Sequence, residues 1–517
     1  MSASVLYPTA SSEALRGYVG KSIREVPLPA AVVNLAAVRR NCERMLSAAR
    51  ELGLGWRAHV KTHKTVEATR LQVGEGDALQ PVNIVVSTLA EAEHLLPALL
   101  EWRAQGRKVN VLYGLPVARN AVPRLAELAK ALGEGSISVL LDDPAQIPAA
   151  ARIHELSGAK AHAYIKLDMG GRRAGVVVGG SLGGGQEDDD DGGANASGAR
   201  FLEVADAALR SHGQGQLVLA GLYSHAGHSY YGDSRVAALR MMRAEMEALL
   251  AGADKLRGRA SGAGVELPRL VVSGGASPTT LSIQNLLGRL AGRDEAAAAE
   301  DHPGYGGGDG VAAAALREEA DALSRVLAGA RAGGHAVEVH AGVYPFLDLQ
   351  QLATHSIAAS RLSWRDVALT LVAEVHSTYP GRGVGGAAEA LVGAGSLALG
   401  REACKAYGGM AMLTPWGRHG VSEPACEVEE YEGWAVGRVS QEHGIVTWMK
   451  GGKRDEVEKT KETETEMDTL EVGQLVRLWP NHACIAGSHF GWYFVVDEDR
   501  QGSEDEIVDV WVRARGW

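Results

Sequence analysis

The sequence predicts an α/β protein in which a (β/α)8 TIM-type barrel is joined to a second, mostly antiparallel β domain. The chain has 517 residues, more than one hydrophobic core usually spans. Between residues 54 and 344, short apolar runs rich in β-branched residues alternate with segments of helical periodicity. After residue 348, strand-like runs follow one another without such helices between them. Eight strand–helix repeats close most naturally into a barrel, and the later runs predict a separate β domain.

The eight predicted barrel strands are short apolar runs of the kind that buried parallel strands require. In chain order they are GWRAHVK, VNIVVST, KVNVLYG, SISVLLDD, AHAYIKLDM, LVLAGLYSH, LPRLVVSGG and AVEVHAG. Segments such as TLAEAEHLLPALLEWRAQG and SRVAALRMMRAEMEALLAG lie between them and predict the outer helices. The predicted barrel domain extends from residue 30 to residue 350.

The second domain is predicted from VALTLVAEVHSTYP, GWAVGRVS, GIVTWM, QLVRLWP and GWYFVVD. We assign residues 351–517 to this domain and expect residues 1–29 to join it. Three further segments, residues 180–198, 292–310 and 450–468, have too little bulky apolar surface to order themselves. They are predicted to be mobile insertions without a catalytic role.

Composition and charge narrow the classes of partner and location. The net charge of −11 argues against nucleic acid or an anionic membrane as the main partner, because both select basic surfaces. The four cysteines, Cys42, Cys404, Cys426 and Cys484, are widely spaced, which favours a reducing compartment over a disulfide framework. No secretory leader and no apolar run of about 20 residues is visible, so the cytoplasm is the expected location.

One lysine occupies a position that requires an explanation. In WRAHVKTHKT, Lys61 follows Val60 at the end of the first predicted barrel strand. Lysines are rarely buried without a partner or a task, and barrel enzymes carry their catalytic groups at the carboxyl ends of the strands. From spacing alone, a catalytic amine and an ordinary surface lysine on a loop are equally compatible with this position.

Two glycine-containing loops predict an anion site opposite that lysine. SGGASPTT (Ser273 to Thr280) and HAGVYPF (His340 to Phe346) follow the seventh and eighth predicted strands, where barrel enzymes often bind phosphate. Backbone N–H groups and the hydroxyls of Ser277 and Thr279 could satisfy phosphate oxygens, although either loop could also be an ordinary turn. A phosphorylated aldehyde that condenses with a lysine amine is pyridoxal phosphate chemistry.

A candidate metal pair lies in LWPNHACIAG. If this segment is extended, His482 and Cys484 are two residues apart and face the same side. Imidazole and thiolate are zinc-type ligands, and two protein ligands leave open the positions that a catalytic Lewis acid needs. Taken alone, an H-x-C motif is more often a pair of ordinary half-buried residues.

Together these segments resemble the fold-type III pyridoxal-phosphate enzymes related to alanine racemase, and within them the eukaryotic-type D-serine dehydratases. RAHVKTHKT is similar to the family's Schiff-base motif, and YIKLDMGGRRAG and GLYSHAGHSYYG resemble its fifth- and sixth-strand segments. The resemblance implies that Lys61 binds pyridoxal 5'-phosphate, that His482 and Cys484 bind Zn2+, and that D-serine is converted to pyruvate and ammonia. It also implies a homodimer whose active site lies where domains and subunits meet.

The resemblance further implies the residues that contact the cofactor, namely His59, Lys61, Arg173, Tyr223, Tyr230, Ser277, Gly342 and Val343. Val343 departs from the family, which has asparagine at this position, so a backbone N–H would have to replace that contact. His59 is equally compatible with a packed barrel histidine, and Arg173 with a partner of a barrel carboxylate. The two tyrosines could also be core aromatics, although their places at a strand end and on the following loop favour the site.

Three rival functions remain open from the sequence. D-threonine aldolases of the same scaffold carry an aspartate where this chain has Cys484, so Cys484 favours the dehydratase branch. A D-threo-3-hydroxyaspartate dehydratase would release oxaloacetate instead of pyruvate. A non-catalytic pyridoxal-phosphate carrier would need neither the second domain nor the H-x-C pair.

Overall fold

The computed structural model describes residues 12–75, 80–179, 198–287, 309–416, 431–450, 469–500 and 502–517. The chain divides into two compact units. The barrel unit comprises Glu43–Gly342, Thr354–Ala358 and Arg515–Trp517, and the sheet unit comprises Met1–Cys42, Val343–Ala353 and Ala359–Ala514. The three segments predicted to be insertions lie almost entirely outside the described residues.

The described residues contain strands and helices that are numbered in chain order. The strands are β1 (Ala30–Asn34), β2 (Gly55–His59), β3 (Val82–Val86), β4 (Val109–Pro116), β5 (Ile137–Leu141), β6 (His162–Lys166), β7 (Val218–Tyr223), β8 (Val271–Gly274), β9 (Ala336–Ala341), β10 (Leu369–Tyr379), β11 (Glu389–Val392), β12 (Ala411–Pro415), β13 (Glu432–Val439), β14 (Gly444–Lys450), β15 (Leu475–Pro480), β16 (Trp492–Val496) and β17 (Asp509–Val512). The α-helices are α1 (Ser12–Leu15), α2 (Leu35–Glu51), α3 (Val66–Val73), α4 (Leu89–Ala104), α5 (Val122–Leu132), α6 (Ile147–Ser157), α7 (Ala199–Gly213), α8 (Arg235–Gly262), α9 (Ser277–Ser282), α10 (Asp309–Ala332), α11 (Leu349–Leu352), α12 (Ser396–Leu399) and α13 (Ala483–Ser488).

Strands β2 to β9 form a closed parallel barrel in chain order, and β2 pairs with both β3 and β9. All eight strands predicted from apolar runs are therefore confirmed as barrel strands. Inside the barrel, Val85, Leu112 and Leu140 pack in one cluster with Tyr164 and Tyr223. Because the strands are parallel, their carboxyl ends meet at one rim, where barrel enzymes place their chemistry.

A buried ion pair links the first and last barrel strands. Nε of Arg57 on β2 lies 2.7 Å from Oε1 of Glu338 on β9, and the two side chains are 3% and 6% exposed. A second guanidinium nitrogen of Arg57 donates to Oδ1 of Asn110 on β4 over 2.7 Å. Buried charges persist only when they are paired and hydrogen-bonded. Arg57 therefore connects three strands of the closed barrel.

Helix starts on the barrel follow from capping residues in the sequence. Thr65 precedes α3 and accepts from the N–H of Ala68, and Ser234 precedes α8 and accepts from that of Ala237. Such caps satisfy N–H groups that have no partner inside the helix. The two helices predicted from periodicity correspond to α4 and α8. In the described part of the chain, no helix is both long and apolar enough to span a membrane.

The sheet unit contains a nine-stranded sheet in the order β11-β14-β13-β12-β15-β10-β1-β16-β17. Only the pairing of β1 with β16 is parallel among the described pairings of this sheet. This architecture confirms the predicted second, mostly antiparallel domain. The five runs predicted for it are β10, β13, β14, β15 and β16, whereas the sequence analysis did not identify β1, β11, β12 and β17.

The N-terminal segment packs into the core of the sheet unit. Leu15, Tyr18 and Ile23 share a buried cluster with Val372 and Phe494. Burying side chains of this size contributes about 1.5–3 kcal/mol each. β1 also pairs within the sheet, so the barrel begins after this strand and not at residue 30, because β1 finds its hydrogen-bond partners in β10 and β16.

Candidate active site

Lys61 stands in a tight turn immediately after the first barrel strand. β2 ends at His59, the N–H of Val60 bonds to Val85 of the next strand, and the N–H of Lys64 returns to Val60 over 2.9 Å. The turn then enters α3 through its cap Thr65. The sequence therefore places the amine of Lys61 at the carboxyl-terminal rim of the barrel, as predicted.

The neighbours of Lys61 in sequence have structural partners. His63 is buried, with Nε2 2.8 Å from Oε1 of Gln72, and Nδ1 accepts the N–H of Thr65. Lys64 forms an ion pair of 3.0 Å with the buried carboxylate of Glu91. Across the described residues, by contrast, no carboxylate lies within ion-pair distance of Lys61. Of the two lysines in this turn, Lys64 is thus the one that is held by an ion pair.

Gly342 leaves space beside the lysine side chain. A Cβ at this position would lie 3.4 Å from Cε of Lys61 and 3.3 Å from Cβ of His59. A Cβ here would be in ordinary contact with Lys61 and slightly too close to His59, so glycine keeps this position free of both side chains. His59, Lys61 and Gly342 are therefore brought together at the end of neighbouring strands β2 and β9, as the site prediction requires.

Three imidazoles near this rim are neutral. Burial, reinforced by the charge of Lys61, holds the pKa of His59 and of His225 well below the usual value. Burial and the charges of Arg57 and Lys166 do the same for His340. Neutral imidazoles add no positive charge to a rim that already carries Lys61, Lys166 and Arg173.

The hydrogen bonds of two of these rings identify their protonated nitrogens. Nδ1 of His225 lies 2.8 Å from the carbonyl oxygen of Gly275 and therefore carries the proton. The hydroxyl of Ser273 donates to Glu338 over 2.8 Å, so it accepts from Nδ1 of His340 over 3.1 Å. In both neutral rings Nε2 is consequently the basic nitrogen.

Tyr223 forms part of this group of rings. It is buried at the end of β7 and stacks on His340, with ring centroids 4.2 Å apart and planes inclined by 8°. The amine of Lys166 lies 5.3 Å from the centroid of its ring. The sequence left open whether Tyr223 is a core aromatic or a residue of the site. In the structure it is a buried aromatic that lies at the barrel rim. Tyr230 is half-buried in the turn Gly227–Tyr231 that follows.

The sequence analysis missed a second lysine at the rim. Lys166 is the last residue of β6 and is 5% exposed. Burial and the charge of Arg173 lower its pKa to about 8. Arg173 itself is exposed and also contributes positive charge to His59 and His225. The sequence could have identified Lys166, because this lysine lies at the end of a predicted barrel strand, as Lys61 does.

A buried carboxylate on α8 was also missed. Oε1 of Glu245 accepts from the hydroxyl of Ser224 over 2.7 Å and from the N–H of Ala226 over 3.1 Å. Burial raises the pKa of Glu245, whereas Ser224 and the backbone of Gly275 favour its charged form. Glu245 therefore holds the segment after β7 against the loop after β8. Nothing in the sequence distinguishes it from the other glutamates of a long helix.

The loop after β8, for which an anion site was predicted, has a compact backbone. Ser277 is buried at the first turn of α9, and Gly275 has a φ of +148°. A Cβ on Gly275 would lie 2.3 Å from Oγ1 of Thr280 and 2.4 Å from the carbonyl oxygen of His340. Glycine is therefore required at this position, both by conformation and by space.

Val343 belongs to the sheet unit, one residue after the last residue of the barrel segment. It is buried, and its carbonyl oxygen accepts from the N–H groups of Phe346 and Leu347 over 2.9 and 2.8 Å. The valine side chain thus sits in a core turn, where it offers no polar contact. The prediction for Val343 is therefore still a contact to the cofactor through its backbone N–H.

The two candidate metal ligands are in contact, but on a different backbone from the predicted one. His482 is the N-cap of α13, and Cys484 lies in the first turn of that helix, so the segment is not extended. The backbone turns because Asp348 caps the N–H of Ala483 over 2.8 Å. Burial lowers the pKa of His482, but its hydrogen bond with Cys484 and the charges of Cys484 and Asp348 raise it to about 9. Within the described residues, no group of three potential metal ligands is found.

Two family profiles match the chain. The profile of the "Putative serine dehydratase domain" matches residues 368–496, and that of "Alanine racemase, N-terminal domain" matches residues 33–180. The chain is 32% identical to the D-serine dehydratase of Schizosaccharomyces pombe, over 98% of this chain and 95% of that protein. The chain belongs to the D-serine dehydratase family.

Other members and neighbours agree with this assignment. The D-serine dehydratase of Saccharomyces cerevisiae is 28% identical over 98% of this chain and 100% of that protein. The solved structure of D-threo-3-hydroxyaspartate dehydratase from Delftia sp. HT23 is 26% identical, covers 96% of this chain and 100% of that chain, and has a TM-score of 0.64. As a member of the D-serine dehydratase family, the chain is a pyridoxal-phosphate-dependent lyase with an alanine racemase-like fold.

The barrel rim fits the cofactor of this family. An amine without a carboxylate partner in the described chain, Lys61, stands beside the space left by Gly342. The cations Lys166 and Arg173 supply positive charge toward the same cluster of rings, which suits an anionic phosphate ester. The amine of Lys61, the side-chain-free position of Gly342 and these cations are thus compatible with a lysine-bound phosphorylated aldehyde.

Proposed function

We propose that the protein dehydrates D-serine to pyruvate and ammonia, with Zn2+ as a second cofactor. The observation that carries the proposal is the amine of Lys61 at the barrel rim, next to Gly342 and to imidazoles that burial keeps neutral. The full-length similarity to two D-serine dehydratases supports this substrate. The specific site residues are proposed on the basis of their positions and of the family's motifs.

Pyridoxal phosphate, when bound, supplies the electron sink that makes the Cα proton of an amino acid acidic. We propose that Lys61 holds its aldehyde carbon and that the backbone of the Gly275–Ser277 loop and of Gly342 and Val343 binds its phosphate. His59, Arg173, Tyr223 and Tyr230 would contact the remaining edges. Tyr223 is already fixed against His340, so it would present a preformed surface to the ring.

Lys61 would then act as the base that removes the Cα proton. An amine performs this step only in its neutral form, which has a free lone pair to accept the proton. Specificity for the D enantiomer would follow from the face of the substrate that Lys61 addresses. The ion pair between Lys64 and Glu91 supports the choice of Lys61 over Lys64 for this role.

The leaving hydroxyl requires help, because hydroxide is a poor leaving group. Imidazole and thiolate are suitable ligands for Zn2+, and a zinc ion would stabilise the negative charge that develops on the leaving oxygen. His482 and Cys484 share a hydrogen bond, so their donor atoms already converge. In support, a cysteine-to-alanine mutant of the related D-threo-3-hydroxyaspartate dehydratase is described in a metal-free form.

A second candidate reaction is dehydration of D-threo-3-hydroxyaspartate. It is favoured by the relative of that name from Delftia sp. (strain HT23), which is 26% identical over 95% of this chain and 97% of that protein. The two reactions share every step at the barrel and differ only in the group attached to the β-carbon. The identity of the product distinguishes them.

The decisive experiment measures product release from D-serine, L-serine and D-threo-3-hydroxyaspartate by the purified protein, with and without a metal chelator. We expect D-serine, but not L-serine, to yield pyruvate. The chelator should abolish this activity, while the absorbance of the bound cofactor should be retained. Oxaloacetate release that exceeds pyruvate release would transfer the proposal to the second reaction. Activity indifferent to the chelator and to His482→Ala would refute the zinc step.

We also propose that the enzyme is a homodimer located in the cytoplasm. Its ligand would be a small D-amino acid, and it would bind neither nucleic acid nor membranes. The net charge of −11 and the absence of a membrane-spanning helix in the described chain are compatible with this setting. Light scattering of the purified protein should give about twice the 54.4 kDa mass of one chain. A monomeric mass with full activity would contradict the dimer.

A further inference from the structure

The amide of Gln350, in the short helix α11 of the sheet unit, is held at both ends. Its Nε2 donates to the carbonyl oxygen of Ala403 over 2.7 Å. Its Oε1 lies 2.6 Å from Nδ1 of His482. Exchanging the two ends would place an oxygen against a carbonyl oxygen, which removes a hydrogen bond and adds repulsion. The bond to Ala403 therefore fixes which end of the amide faces His482.

The orientation of Gln350 determines how the imidazole of His482 is protonated. An amide oxygen can only accept, so Nδ1 of His482 must be the donor. The lone pair that could bind a cation is consequently on Nε2. Ligand histidines in metal sites characteristically donate their other N–H to an oxygen in this way, which fixes the ring and increases its basicity.

The same turn also holds the second ligand. Asp348, fully buried, accepts the N–H of Gln351 through Oδ1 over 2.9 Å and the N–H of Ala483 through Oδ2 over 2.8 Å. It thus caps both α11, which carries Gln350, and α13, which carries Cys484. One buried carboxylate therefore sets the positions of the amide that orients His482 and of the helix that presents Cys484.

We propose that Gln350 is a positioning residue for metal capture: it fixes Nε2 of His482 as the ligand nitrogen, while Asp348 holds Cys484 alongside it. This inference rests on the proposed zinc-dependent function, and it adds two residues to the two that the sequence motif contains. Gln350 acts through His482 and does not itself bind the ion.

The test compares zinc affinity in the full-length protein for wild type, Gln350→Met and Gln350→Glu. Methionine keeps the length of the side chain but cannot accept the proton of Nδ1, whereas glutamate can. The matched control is Gln474→Met, because Oε1 of Gln474 also accepts a hydrogen bond, from the N–H of Glu471, in an exposed turn. Affinity is measured by competition with a chromogenic chelator, and the absorbance of bound cofactor and the melting temperature monitor folding.

We expect Gln350→Met to lower zinc affinity about 10- to 100-fold, with cofactor absorbance unchanged. Gln350→Glu should recover most of this loss, which a purely structural role of the glutamine would not produce, and Gln474→Met should bind zinc like the wild type. Wild-type affinity in Gln350→Met would overturn the inference and leave the zinc proposal intact. A wild-type protein that binds no zinc would overturn both, and this outcome is recognised before any variant is made.

Discussion

The two units place histidines in opposite electrostatic surroundings. In the barrel unit, burial and nearby cations depress the pKa of His59, His225 and His340; the cation is Lys61 for the first two and Arg57 for His340. In the sheet unit, Cys484 and Asp348 raise the pKa of His482 to about 9 in spite of its burial. The residue type is the same, and the charge of its neighbours decides the outcome.

This difference corresponds to two kinds of site. A rim with Lys61, Lys166 and Arg173 and with neutral rings suits an anionic cofactor and an amine that must lose a proton. A histidine beside a thiol and a carboxylate suits a cation, because the cation replaces the proton that those negative groups attract. The comparison therefore supports the proposal of a phosphate ester at the barrel rim and of a metal ion in the sheet unit.

The largest expected effect is that of Lys61→Ala, which removes the amine around which the barrel site is arranged. We expect the absorbance of lysine-bound cofactor to disappear and activity to fall by about 10³-fold or more. Lys64→Ala is the control, since it removes the neighbouring lysine that is paired with Glu91. Retention of the absorbance band in Lys61→Ala would show that Lys61 does not bind the cofactor. The proposed difference between the barrel site and the sheet-unit site would then lose its main support.

A smaller effect is expected from Glu245, the buried acceptor between two loops of the rim. Glu245→Leu leaves the hydroxyl of Ser224 and the N–H of Ala226 without their acceptor, at about 1–3 kcal/mol each. We expect a lower midpoint of denaturant unfolding and weaker binding of pyridoxal phosphate, measured by titration of the apoprotein.

Two further variants make the Glu245 experiment specific. Glu245→Gln keeps one acceptor oxygen and should lose about 1 kcal/mol. Glu247→Gln alters a half-exposed glutamate of the same helix and should change stability by less than about 0.5 kcal/mol. Unchanged cofactor affinity in Glu245→Leu would show that the two loops do not depend on this carboxylate.

The smallest effect concerns acid stability of the barrel. Because the pKa of His225 is depressed in the folded state, the unfolded chain binds more protons below pH 6.5, and stability falls as the pH falls. Between pH 7 and 5.5 this histidine should account for about 1 kcal/mol of that loss. His225→Gln should reduce the loss, as measured by denaturant unfolding at several pH values, whereas the exposed His443→Gln should not. An identical pH dependence in His225→Gln would mean that the ring is protonated in the folded protein.

Individual elements show why some predictions succeeded. The barrel strands are short runs dominated by apolar residues because most of their residues are buried, so all eight were recognisable without knowledge of their partners. The strands of the sheet unit that were missed include β11 and β17, each of four residues, which are too short to show a period. β1 was missed as part of the sheet because its pairing partners, β10 and β16, are hundreds of residues away.

The site shows the same division. Lys61, Gly342 and Tyr223 follow or end barrel strands, so their meeting at one rim was predictable from topology. His482 and Cys484 were correctly predicted to come together, but through an extended backbone, whereas a helix capped by Asp348 presents them. Glu245 and Gln350 could not be found, because their roles depend on hydrogen bonds to residues distant in sequence.

The sequence by itself determined the barrel, the second domain and the position of Lys61 after the first barrel strand, since the apolar runs and helical periodicities that predict them are local properties of the chain. Only the tertiary structure decided which histidines are neutral, which nitrogen of His482 is available and which carboxylates support the loops. The physical reason is that charge state and tautomer depend on burial and on neighbours brought from other parts of the chain, over distances of about 3–6 Å.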